Sequence, residues 1–203
     1  MNLQQTKAHL AALGIGLHPI LFQPDMSKAV INDIKNMTRR IIKDEEILAA
    51  LNAGFGINGA STLSHYGNPG DILWVRETWE LLSDHPLPTQ YLYKSVDELT
   101  PGSKWHPSIH MPFEACQTFL RVKAIRVERL RDITDADAIA EGIEVIDGKY
   151  KNYLNPAELF ITPKASFNSL FQSINGMDIL SINPWLWVVE FEKVDINQIL
   201  KAA

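Results

Sequence analysis

The sequence predicts an α+β fold: a small β-barrel or a strongly curved mixed sheet with helices on its outside. Three observations lead there. Residues 118–130 alternate apolar and charged groups, as a long twisted strand or strand pair does. Residues 185–191 form a near-continuous apolar run, which suits a central strand. The helical segments do not alternate with strands in the strand–helix–strand rhythm of a doubly wound sheet.

Taken in order, Leu3–Leu13 reads as a helix closed by Gly14 and Gly16, and His18–Phe22 as a short apolar strand. Pro24-Asp25 opens a helix with Met26, Val30, Ile31 and Ile34 at helical spacing. Thr38–Ile42 is a strand or tight connection, and Asp44 starts a helix through Ile47, Leu48 and Leu51 to Gly54. Residues 54–69 are rich in Gly, Asn and Ser and read as a long loop. Ile72–Trp79 follows a Gly-Asp turn as a strand of bulky apolar groups, and Tyr91–Lys94 is a second, shorter one. Pro101–Pro112, with its prolines, reads as an ordered loop. Thr134 caps a helix, with Asp137 placed as in a capping box, and Gly142 ends it. Ala165–Ile174 is an amphipathic helix. There is no internal repeat, no G-x-G-x-x-G and no Walker loop, so nucleotide binding of those types is not expected.

Bulk properties narrow the functional classes. The chain has 203 residues, 46% hydrophobic and 21% charged, enough apolar material for a core without metals or disulfides. We expect one domain over 1–203, its core about 18–193, with insertions near 50–66, 83–112 and 145–164. The single cysteine, Cys116, can form no internal disulfide; a reducing cytoplasm is expected, with Cys116 a small buried hydrophobe. No basic segment followed by an apolar run opens the chain, and no apolar stretch reaches membrane-spanning length, so neither signal peptide nor membrane partner is expected. A net charge of −5 excludes a strongly basic nucleic-acid-coating surface but leaves a local basic groove open. Lys35, Arg39, Arg40 and Lys43 cluster in one stretch; Arg121, Lys123, Arg126, Arg129 and Arg131 form a second cluster that equally suits a solvated strand face.

Chemistry-bearing groups fall in three segments: Lys35-Asn-Met-Thr38-Arg39-Arg40, Gly70-Asp71-Ile-Leu-Trp-Val-Arg76-Glu77 and Ala140-Glu141-Gly142. They supply a candidate nucleophile (Thr38), a candidate base (Lys35 or Glu141) and an anion clamp (Arg39 or Arg40). Together with Leu130-x-x-Ile133-Thr134 and Trp187-Val-Val-Glu-Phe191, this order of motifs resembles the ASCH domain, of the PUA-like superfamily of small pseudo-barrels. The fuller wording, including Ser108-Ile-His-Met-Pro112 and Asn183-Pro-Trp-Leu-Trp187, is similar to larger members common in bacteriophages and prophages. The resemblance implies a domain that binds RNA or a modified nucleoside or nucleotide. Some relatives are amidohydrolases that remove an acyl group from the exocyclic nitrogen of cytidine; others are ribonucleases. In the amidohydrolase branch a Lys, a Thr three positions later and a Glu before the last helix do the work. Those positions fall on Lys35, Thr38 and Glu141, and the family's basic residue two after the Thr falls on Arg40. A glycine that commonly stands two before the Lys is Asp33 here, so the helix exit is expected to be made differently.

Read physically, Thr38 becomes a nucleophile only when a base takes its proton. Lys35 can do so if burial and its cationic neighbours lower its pKa. Glu141 can orient Lys35 or activate water, and Arg40 or a backbone N–H can hold an oxyanion. The alternative is that Lys35 and Arg39 are surface cations pairing with Glu45, Glu46 or Glu141, and that Thr38 is an ordinary strand residue. Strand alternation puts Arg76 on the face of Ile72 and Trp74, and Glu77 on that of Leu73 and Val75. Glu77 is then either a buried partner of Arg39 or Arg40, or a cleft acid. Trp105 is a candidate base-stacking residue, His110 a candidate proton or phosphate ligand, and Tyr66 a candidate for the cleft mouth. The four-residue spacing of His106 and His110 lacks a helix and a third ligand, so no metal and no cofactor is expected. A non-catalytic phage accessory protein, its cleft residues only structural ion pairs, is the third class.

Overall fold

The structure is a computed structural model and describes residues 2–54, 63–82, 90–99 and 102–201. Residues 55–62 of the expected loop, residues 83–89 of the second insertion and Pro101 lie outside the described residues. Helices α1 (Leu3–Ala12), α2 (Pro24–Ile31) and α3 (Glu45–Asn52) flank strands β1 (Leu17–Leu21) and β2 (Met37–Ile41). Strands β3 (Ile72–Arg76), β4 (Trp79–Leu82), β5 (Gln90–Tyr93) and β6 (Phe119–Arg129) follow, then α4 (Asp135–Ala140). Next come β7 (Val145–Ile146), β8 (Lys149–Lys151), β9 (Leu159–Phe160), α5 (Pro163–Asn175), α6 (Ile179–Ile182), β10 (Trp185–Val194) and α7 (Ile196–Lys201). The fold is α+β, with a five-stranded mixed sheet in the order β1-β3-β6-β10-β2. Among the described residues no sheet closes into a barrel, so of the two expected arrangements the mixed sheet is the one found. No helix among the described residues is long and apolar enough to cross a membrane.

Several expected elements change. The single strand expected over Ile72–Trp79 is two: β3 belongs to the large sheet, and β4 pairs with β5 in a separate one. The break falls at Glu77, whose N–H is spent on Met111 Sδ at 3.1 Å. Helix α2 stops short of Ile34, because Asp33 takes the left-handed conformation (φ 57). Asp33 therefore gives the helix exit the left-handed backbone that a glycine would, and the expectation of a different exit does not hold. Asp33's carboxylate is met by Lys193 at 2.9 Å. The expected insertion at 145–164 carries a three-stranded sheet, β7-β8-β9. The Pro101–Pro112 loop holds a 3₁₀ turn at Ser108–His110.

The chain divides into two compact units. Unit 1 comprises residues 1–33, 65–123 and 191–203; unit 2 comprises 34–64 and 124–190. In unit 1, β1 runs parallel to β3, with Leu17 opposite Ile72, and β3 runs antiparallel to β6. Its core joins Leu10, Leu17, Ile72, Trp74, Phe113 and Phe119. Phe113 meets Trp74 and Phe119 edge-on at 5.3 and 5.8 Å between ring centres. The Gly70-Asp71 segment works as a clasp here: the Asp71 carboxylate accepts from the Gly16 N–H at 2.6 Å and the Asn68 N–H at 2.8 Å. In unit 2, β10 and β2 pair antiparallel, with Val189 opposite Thr38 and Val188 opposite Arg39. Leu130, Ile133, Phe167, Phe171 and Leu186 form its core. Thr134 caps α4 through the Asp137 N–H at 3.1 Å.

The Asp71 clasp leaves no room beside two glycines. A Cβ on Gly67 (φ 81) would lie 2.5 Å from Asp71 Oδ2, and one on Gly16 would lie 2.6 Å from His18 Nε2. Gly148 (φ 75) has open space around it. Urea denaturation should show Gly148→Ala losing about 1–2 kcal/mol from backbone strain alone. Gly16→Ala should lose about 1–3 kcal/mol from crowding alone. Gly67→Ala, carrying both, should exceed either; equal losses at Gly67 and Gly148 would show that the clasp tolerates a methyl group.

Candidate functional site

The candidate site in unit 2 is built where β2 begins and α4 ends. Gly142 adopts φ 80 and stops α4, leaving Glu141 as the residue that caps its C-terminus. The carbonyl of such a residue has no partner within its own helix and attracts a cation. Lys35 supplies that cation: its Nζ donates to the Glu141 carbonyl at 2.8 Å and to Glu141 Oε2 at 2.7 Å. The neighbouring Asn36 N–H bonds the Ala140 carbonyl at 3.0 Å, so main chain and side chain hold the two segments together.

Arg39 extends this pair into a network. It is buried, and its guanidinium reaches Glu141 Oε1 at 3.4 Å, Asp137 Oδ2 at 2.6 Å and Glu128 Oε2 at 3.0 Å. The ring of Phe167 lies 5.8 Å from it. Arg126 shares Asp137 Oδ2 at 2.9 Å and also bonds Glu128 and Glu190. Lys35, Arg39 and Arg126 thus meet Glu128, Asp137, Glu141 and Glu190. Sequence reasoning missed Arg126, Glu128, Asp137 and Glu190. The signal present was the i, i+2 spacing of Arg126 and Glu128, which puts both on one face of β6. Asp137 read as a helix-cap residue, but its carboxylate turns to the two arginines.

Lys35 is 3% exposed and Glu141 7%. Burial pushes the Lys35 amine below its usual range; Glu141 opposes the shift, while Arg40 and Arg39 reinforce it. Thr38 is 1% exposed, and its Oγ1 has no hydrogen-bond partner among the described residues. Alternation along β2 sends Thr38 and Arg40 to the face opposite Arg39. So the structure brings Lys35, Arg39 and Glu141 together and leaves the Thr38 hydroxyl unengaged. Arg40 is half-buried, and one of its N–H groups lies 3.4 Å from the Arg39 carbonyl.

The other expected site residues belong to unit 1. Glu77 is 1% exposed, and its partners are the Ser95 hydroxyl at 2.5 Å and the Gln117 amide at 2.8 Å, not Arg39 or Arg40 as the first of its two expected roles required. That pairing was inferred from the need to compensate a buried carboxylate; neutral donors meet the need instead. Burial raises its pKa, and the two hydrogen bonds oppose the rise. Arg76 lies over the Trp74 ring at 5.2 Å, on the face expected, and donates to the Ile109 carbonyl. Tyr66 and Trp105 are half-buried and His110 is exposed. His106, by contrast, bridges to Trp79 through the main chain and stacks on its ring at 5.1 Å. Among the described residues no group of three or more His, Cys, Asp or Glu is placed to hold a metal ion.

No family model, curated protein or solved structure matches the chain.

Among the described residues Glu141 meets two buried cations, whereas the anion that Lys35 meets is also neutralised by Arg39. Glu141→Gln should cost about 3–5 kcal/mol in denaturant unfolding, and Lys35→Met clearly less; the reverse order would refute the shared-anion arrangement. The lowered Lys35 pKa also sets a pH slope. Between its folded pKa and the ordinary lysine range, the unfolded chain binds the extra proton, so stability rises with pH. Lys35→Met should remove that rise. Glu77 acts oppositely: from pH 4.5 up to its raised folded value the folded state binds more protons, so stability falls with pH. Glu77→Gln should flatten that fall.

Proposed function

We propose that this chain is a nucleic-acid-related binding domain of the ASCH type, PUA-like in fold, whose ligand is a modified nucleoside. One observation carries the reading. Lys35 and Glu141, the two ionisable positions the resemblance marks as working residues, lie 106 positions apart in sequence and meet at 2.7 Å. A surface lysine pairing with Glu45 or Glu46 would be exposed; this one is buried and bonded to Glu141. The acidic net charge of −5 favours a small nucleoside over long RNA, because tracking a phosphate backbone needs a more basic surface.

Two further observations favour a hydrolytic version of this reading: the depressed pKa of Lys35, and the buried Thr38 hydroxyl left without a partner. In that reaction Thr38 Oγ1 attacks the acyl carbonyl of an N-acylated cytidine and passes its proton to the deprotonated form of the Lys35 amine, the form that burial favours. The C–N bond breaks, the cytidine amine leaves with that proton, and the acyl group rests on Thr38 as an ester. Water then gives a proton to Glu141 and attacks the ester carbonyl; the C–Oγ1 bond breaks, the carboxylic acid leaves, and Thr38 Oγ1 takes the proton back from Glu141. Thr38 lies on the face of β2 opposite Arg39, so this version requires the hydroxyl to be brought to the Lys35 amine when ligand binds.

Thr38→Val separates the versions. It removes an unpaired buried hydroxyl at constant shape, so the folded protein should gain about 1 kcal/mol. An enzyme should lose turnover of N-acylated cytidine by about 100-fold or more; a binding domain should keep its nucleoside affinity and show no turnover before or after the change. Failure of a panel of modified nucleosides and short RNAs to bind at all would overturn the reading in both forms.

A further inference from the structure

Unit 1 contains a cavity of about 560 Å³ that plays no part in the Lys35 site and on which the proposed function does not depend. Its walls come from α1, residues 113–119, the end of β10 and α7. The volume is ordinary for a small-molecule site. Phe113 and Phe119 line it as flat apolar surface.

Part of its polar lining is committed already. The Thr6 hydroxyl donates to the Asn2 carbonyl, the Cys116 thiol donates to the Thr118 carbonyl, and Asp195 accepts from the Asn197 N–H. The Cys116 thiol, pushed up to about 12 by burial, is no nucleophile near neutrality. Gln117 differs. One of its amide N–H groups is held at 2.8 Å by Glu77, and Ser95 holds Glu77 from the other side at 2.5 Å. The amide's carbonyl oxygen and second N–H have no partner among the described residues. A buried carboxylate thus fixes the rotation and the N/O assignment of an amide on the cavity wall, and presents an acceptor and a donor side by side.

We propose that this cavity binds a small, flat, uncharged molecule carrying a carboxamide or lactam edge, read by Gln117 through a paired donor–acceptor contact and packed against Phe113 and Phe119. Such an edge offers the complementary donor and acceptor, as amide–base pairings do. The surrounding charge argues against an anion: Glu114 and Asp195 line the cavity, and its one lysine, Lys193, is committed to the Ile31 carbonyl at 2.7 Å and to Asp33 at 2.9 Å. A carboxylate ligand would face two like charges with no free cation to offset them.

The test uses the full chain and three simple probes: benzamide, benzoate and toluene. Ligand-observed NMR and a protein amide spectrum should show benzamide binding with an affinity on the order of millimolar, as befits a fragment of its size. It should shift the Gln117 side-chain amide and the Phe113 and Phe119 ring signals. Benzoate, which lacks neutrality, and toluene, which lacks the edge, should bind about tenfold more weakly or not at all. Gln117→Leu should lose the preference for benzamide over toluene. Leu200→Trp, which fills the cavity from α7 without touching Glu77, should abolish binding of all three, and serves if the Gln117 variant fails to fold. Equal binding of benzamide and benzoate, unchanged benzamide binding in Leu200→Trp, or no benzamide binding to the wild type would overturn the proposal. None of these outcomes bears on Lys35.

Discussion

A primary amine taken almost wholly out of water governs unit 2. An ammonium ion in a protein interior costs several kcal/mol unless an anion and further hydrogen-bond acceptors stand in for its hydration. Lys35 obtains both from one residue, the carboxylate and the main-chain carbonyl of Glu141. That requires a helix to end at Glu141, which Gly142 brings about, and it requires the strand after Lys35 to start beside that helix end. Glu141 is in turn buried and needs more positive charge than one amine supplies. Arg39 provides it, and Arg39 then draws in Asp137 and Glu128. Charges alternate outward until Arg126 and Glu190, where the side chains are only partly buried and water takes over.

This arrangement bears on chemistry because it determines which proton donors and acceptors are idle. Lys35 and Glu141 bond each other, while the Thr38 hydroxyl, on the far face of β2 from Arg39, has no partner among the described residues. Leaving a buried hydroxyl unpaired costs about 1–3 kcal/mol. Such a group is either a packing cost or a reactant awaiting its ligand. Burial, reinforced by Arg40 and Arg39 and opposed by Glu141, lowers the pKa of the amine, the direction of shift a lysine base requires.

Unit 1 solves the same problem by other means. Glu77 is as deeply buried as Lys35, yet its partners are a hydroxyl and an amide. Neutral dipoles compensate a carboxylate less completely than a cation does, which is why its pKa stays raised. In exchange, the carboxylate orients Gln117, a service an ion pair with an arginine would not have performed. Asp71 is a third solution: a carboxylate satisfied by main-chain N–H groups from two sides, with glycines where any side chain would collide.

Much of the fold was legible because its signals are local. Asp44, Thr134 and Pro24 start helices through groups within a turn of themselves, and the long strand β6 shows in its alternation. Where such signals are absent or compete, reading failed. The two-residue strands β7 and β9 are too short for a period, and the break at Glu77 depends on Met111, thirty-four positions away. The same limit applies to the site. Which residues carry charge, where a helix must stop before Gly142, that Lys35 has cationic neighbours and that Thr38 and Arg39 take opposite faces of a strand can all be read from the chain. That Lys35 is buried, that Glu141 and not Glu45 or Glu46 neutralises it, and that Glu77 belongs to Ser95 and Gln117 emerge from the packed molecule alone. Partner choice among buried charges is set by which elements pack together, and that packing is driven by apolar area, which does not say which polar groups it will enclose.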